Sequence, residues 1–95
     1  MLYVVDTHAL VWFAAADPRL SRTAHNILND PGAGNRLAVP TIVLAEAWDL
    51  ARKKRVSVPY SQVLRTVRAS RALVVPLEDT TINRFPCQLT DIHDE

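Results

Sequence analysis

The chain has one cysteine and two glycines among its 95 residues, and aromatic residues make up only 6% of it. A lone Cys87 closes no intramolecular disulfide, and no Cys/His spacing suited to zinc accompanies it. A reducing, cytoplasmic setting is therefore expected. Gly32 and Gly34 precede an expected strand instead of following one, which excludes a dinucleotide-binding fingerprint. A long apolar run is missing as well. The opening MLYVVDTHALVWFAAADPRL is interrupted by Asp6 and His8, and no basic segment leads into it, so neither a signal peptide nor a membrane span is expected. Nor does one sign of charge dominate: eleven Lys/Arg face ten Asp/Glu, for a net charge of +1. That total excludes neither a nucleic acid nor a protein partner, because the distribution of charge steers a polyanion.

What is present is the make-up of an ordinary globular domain, with 48% hydrophobic and 22% charged residues. Disorder is not expected from such a balance. A chain of this length makes one domain, residues 1–95, burying about 60–65% of its unfolded surface. Leu2 to Val5 reads as a strand covered on both faces, because it is apolar without alternation. Thr7 to Ala15 reads as a helix with Thr7 as cap, stopped by Asp17 and Pro18. Ser21 caps an expected second helix whose Ala24, Ile27 and Leu28 share one side. Asp30 to Asn35 is a loop, and Arg36 to Val39 a second strand. Thr41 is expected to cap the strongest helix, which carries four cations, Arg52 to Arg55, in its last turn. Another helix begins at Pro59 or Ser61, with Val63, Leu64 and Val67 on one side. Ala72 to Val75 is a third strand, and Asp79 to Phe85 a short helix. Short apolar strands alternating with helices predict an α/β fold with a parallel sheet flanked by helices.

In such a sheet, ligands gather beyond the carboxyl ends of the strands. Asp6 falls there, either as a site residue or as a helix cap. Glu46 has Ile42, Val43, Asp49 and Leu50 at helical i±3 and i±4 spacing, so it is expected to project from a mostly buried stripe. A buried carboxylate needs a compensating partner. An ion pair with an arginine is one candidate. A divalent cation shared with Asp6 is the other, since hard ions such as Mg²⁺ take carboxylate oxygens and keep several waters.

Three segments carry a family resemblance. LYVVDTHALVWF resembles the opening strand and helix of PIN domains, and AVPTIVLAEAWDLARKKRVSV resembles the family's next strand and its Glu-bearing helix. ALVVPLEDTTINRF, with LTDIHDE after it, is similar to the approach to the family's second acidic motif. The resemblance spans essentially the whole chain and points to toxins of the VapC type. It implies a five-stranded, three-layer sandwich that cleaves RNA with Mg²⁺ or Mn²⁺ held by three or four acids. Asp6 and Glu46 take the first two positions, as metal ligands and catalytic residues. Thr7 is implied as a hydrogen-bond partner of Asp6 or of a metal-bound water. A cognate antitoxin and a homodimer are implied as partners. The family's third acid is expected beyond His93, so the domain reads as incomplete at its C-terminus, with Asp94 or Glu95 as substitutes. The implied strand order, 3-2-1-4-5, would then leave the first strand as an open edge. A truncated remnant that binds RNA or an antitoxin without cleaving is the alternative function, and an unrelated α/β binding module a third.

Several features have a plainer reading. The run Arg52 to Arg55 contacts RNA phosphates or answers the helix dipole as a solvated end, with Asp49 and Lys53 as an i, i+4 pair. Arg65, Arg68 and Arg71 extend a basic stripe or form a wet helix side. His8 reads as a helix-start residue, although Asp-x-His binds metal in other hydrolases. Trp12, Phe13 and Trp48 read first as core, and otherwise as an interface with a second copy or an antitoxin.

Overall fold

The computed structural model describes residues 1–76 and the short strand at 87–88. The expected helix from Asp79 to Phe85, and His93, Asp94 and Glu95, lie outside the described residues. In chain order the elements are β1 (Leu2–Val4), α1 (Thr7–Ala14), α2 (Arg22–Asn29), β2 (Arg36–Pro40), α3 (Thr41–Arg52), α4 (Tyr60–Ala69), β3 (Leu73–Val75) and β4 (Cys87–Gln88). The strands form one parallel sheet in the order β3-β2-β1-β4. Tyr3 pairs with Leu37 on one side and Cys87 on the other. The first strand is therefore interior to the sheet and not an open edge, because β4 returns alongside it.

Alternation along the strands explains the core. Val5, Leu37 and Val39 join Ala9, Leu10 and Val11 of α1, Ala24 and Leu28 of α2, Val43 and Ala47 of α3, and Val63 and Val67 of α4 in a single cluster. The intervening Val4 and Ala38 are also buried, at 6% and 0% exposure, so β1 and β2 are covered on both faces as their unbroken apolar runs predicted. The outer strand β3 differs: Leu73 and Val74 remain 41% and 49% exposed. Val5, Val11, Val39 and Val63 bring stiff β-branched side chains to this core, packed with Leu10, Leu28 and Leu37.

The helix starts correct two expectations. Asp6, not Thr7, caps α1: its Oδ1 accepts a hydrogen bond from the Ala9 N–H at 2.9 Å. Thr7 is the first helical residue. Pro40 occupies the cap position of α3 with no side-chain bond, and Thr41 again lies inside. Ser21 does cap α2, accepting from the Ala24 N–H. At the other end, α3 stops at Arg52, so only one of the four expected cations occupies its last turn.

Candidate functional site

Parallel pairing of β1 with β2 brings the segments that follow both strands to the same end of the sheet. Asp6 lies two residues past the end of β1, and α3 starts as β2 ends, placing Glu46 in its second turn. A cavity of about 570 Å³ opens there, lined by Asp6, Thr7, His8, Glu46, Asp49 and Leu50 among others. The two acids singled out from the sequence thus share one cavity, although 40 positions separate them.

Thr7 ties the two helices together. Its hydroxyl donates to Glu46 Oε1 at 3.1 Å, from a residue only 8% exposed. The expectation that Thr7 holds Asp6 is replaced by this bond to the other acid. Asp6 spends Oδ1 on the helix cap. Its Oδ2 and Glu46 Oε2 make no hydrogen bond or ion pair among the described residues. An arginine partner for Glu46 is accordingly absent among those residues. Two acids facing one cavity without a cation repel each other, and a hard divalent ion offsets that repulsion.

Glu46 is exposed, which corrects the buried-stripe expectation. The core side of α3 is set by Val43 and Ala47, and Glu46 stands about 60° around the helix from Val43, on the border of that side. Ile42, counted as a core neighbour from spacing alone, faces outward with 54% exposure. Trp48 also leaves the core, half exposed, with the Arg52 guanidinium 5.1 Å from its ring centre. Trp12 and Phe13 are partly buried against the core cluster.

Asp49, on the cavity wall, is engaged elsewhere. It receives Arg52 at 2.7 Å and the expected Lys53 at 2.9 Å, which hold its carboxyl below the usual aspartate range through hydrogen bonds, Lys53 first. The start of the basic run therefore answers an acid on its own helix, while Lys54 and Arg55 are exposed beyond it. Arg65 and Arg68 are exposed on α4. His8 reads from the sequence as a helix-start residue. It is one, and it also lines the cavity; its position two residues after Asp6 was the available signal. Leu50, the apolar wall, carried no such signal.

Comparison with known families decides the lineage: the sequence matches the PIN domain over residues 3–85. The chain belongs to the PIN-domain family. No curated protein and no solved structure matches it. A PIN domain implies nuclease-type function, and such domains generally depend on divalent metal and commonly bind RNA and partner proteins. Among the described residues no three His, Cys, Asp or Glu side chains gather as a metal cluster. The donor chemistry of this PIN domain still fits a hydrated Mg²⁺ or Mn²⁺, since both acids offer hard oxygens into a cavity with room for retained waters. Among the described residues no helix is long and apolar enough to cross a membrane.

Proposed function

We propose that this PIN domain is a metal-dependent endoribonuclease, the toxin component of a VapBC-type toxin–antitoxin pair, acting in the cytoplasm as a homodimer. The observation that supports this reading best is the convergence of Asp6 and Glu46 on one cavity at the carboxyl end of the sheet. In this proposal both carboxylates hold Mg²⁺ or Mn²⁺. The ion supplies the Lewis acidity that phosphodiester hydrolysis needs at neutral pH. Asp6 keeps a fixed rotamer because one of its oxygens is anchored to α1. Thr7 orients Glu46, and Leu50 gives the cavity an apolar wall.

The test is Mg²⁺-dependent cleavage of single-stranded RNA by wild type and Asp6→Asn. Asn caps helices about as well as Asp, so the variant keeps its melting temperature. Activity should fall by more than the ~10–100-fold that follows loss of a ligand's supporting hydrogen bond. Equal activity would end the catalytic proposal.

The small donor set among the described residues favours a second reading, a PIN domain that binds RNA or an antitoxin without cleaving. Titration calorimetry with Mn²⁺ separates the two. Binding abolished in Glu46→Gln supports the enzyme, and the absence of any metal binding supports the binding module.

A further inference from the structure

The first turn of α1 borders the cavity of Asp6 and Glu46. His8 is exposed on its wall, and the His8 ring lies 5.7 Å from the Trp12 ring, one helical turn on, at an angle of 55°. Trp12 in turn lines a second cavity of about 530 Å³ together with Asp17, Arg22, His25 and Asn26. Two touching aromatic rings therefore bridge the cavity of Asp6 and Glu46 to its neighbour.

The second cavity favours a polyanion. Asp17, the one acid among its described lining residues, is taken up by Arg19 at 2.8 Å, which holds the carboxyl below the usual aspartate range. The same guanidinium lies 4.9 Å from the Trp12 ring centre, so this indole already accepts a flat, delocalised cation. Arg22 lines the cavity, is exposed, and forms no ion pair among the described residues. With Arg19 and Arg22 set against Asp17 the charge balance here is positive, and Trp12, one helical turn (about 5 Å) beyond His8, links it to the cavity of Asp6 and Glu46.

We propose that His8 and Trp12 form a stacking platform for a base of single-stranded RNA, with Arg22 meeting the adjoining phosphate, as a subsite flanking the scissile phosphodiester. The assignment rests on the ribonuclease reading above and deepens it. Unpaired strands are the class recognised, because only splayed bases offer a face to an aromatic side chain. Stacking tolerates any base, so the platform positions the strand and sets a preference for unpaired substrate. His8 is here a positioning residue, and the role uses its ring face.

The test uses the full chain with Asp6→Asn to prevent cleavage, and Trp48→Phe to leave Trp12 as the single tryptophan. Dodecaadenylate is titrated in EDTA, with Trp12 emission and oligonucleotide anisotropy read separately. The expected result is quenching of Trp12 on binding. Adding His8→Ala should weaken affinity roughly 5- to 100-fold, the usual effect of losing one base–aromatic stack. His8→Phe should restore it, and circular dichroism should show each variant folded. Unchanged affinity in His8→Ala, with no quenching of Trp12, overturns the subsite while leaving the nuclease reading intact. The aromatic pair would then face a protein partner. Failure of wild type either to bind or to cleave any RNA overturns both.

Discussion

Thr7 places its hydroxyl where only 8% of the residue meets solvent, and the Glu46 carboxylate is the acceptor it finds. Thr7→Val keeps the shape and removes the donor, leaving the Glu46 carboxylate free to turn. Outer contacts of this kind are worth roughly 10–100-fold in metal affinity or activity. A Mn²⁺ titration of Thr7→Val should show a loss in that range with the fold retained; unchanged affinity would reduce the bond to packing. Asp6 and Glu46 were legible in the sequence for different reasons. Asp6 ends an apolar strand, and a charge at that point in a parallel sheet has few structural uses beyond the cap it also provides. Glu46 was legible as an acid among apolar neighbours, yet the inference of burial failed because Ile42 turns outward. Thr7's real partner was not legible, since a bond between residues 39 positions apart depends on how two helices pack.

Among the described residues, three of the four helices end by a left-handed residue that is not glycine: Ala16, Lys54 and Arg71, with φ of 54°, 56° and 57°. After α3, Lys54 donates to Ala51 O at 3.1 Å and Arg55 to Leu50 O at 2.9 Å, a Schellman closure. This closure stops α3 at Arg52. Scarcity of glycine hid these stops, so the basic run read as helical. The same closure supplies a stability test. A side chain in the left-handed region costs about 1 kcal/mol that glycine avoids. Lys54→Gly should therefore raise the unfolding free energy by about 1 kcal/mol in urea titrations, and a loss would mean the Lys54 side chain has a compensating contact. Asp49 acts within the same helix. Its carboxyl is held low by Lys53 and Arg52, so the stabilisation is present above the ordinary aspartate value of about 4 and lost as pH falls through the lowered folded value. Melting of Asp49→Asn against wild type should show a small gap at pH 6 that closes on acidification. A gap independent of pH would reject the ion pairs as its source.

Across the whole molecule, the candidate site exists only when β1 and β2 are paired, since Asp6 and Glu46 come from the segments following each. A metal ion that binds this arrangement and not the unfolded chain shifts the folding equilibrium. At Mn²⁺ ten times its dissociation constant the gain is about 1.4 kcal/mol, or ~6–10 °C in melting temperature for a domain of this size. The shift should vanish in Glu46→Gln; an equal shift would locate the ion elsewhere. The fold class was legible because strand composition and helix alternation report it directly. The order β3-β2-β1-β4 matches the start of the implied 3-2-1-4-5, and what was not legible was the presence of β4: it takes the place beside β1 that truncation was expected to leave bare, and a two-residue strand gives almost no compositional signal. That pairing has a consequence during synthesis. Of the described strands β1 leaves the ribosome before the others, and it must wait for residues 87 and 88 before its second flank is covered. Until those residues emerge the nascent chain displays β1 with one side unpaired, and a chaperone or a neighbouring polypeptide has that interval in which to seize it.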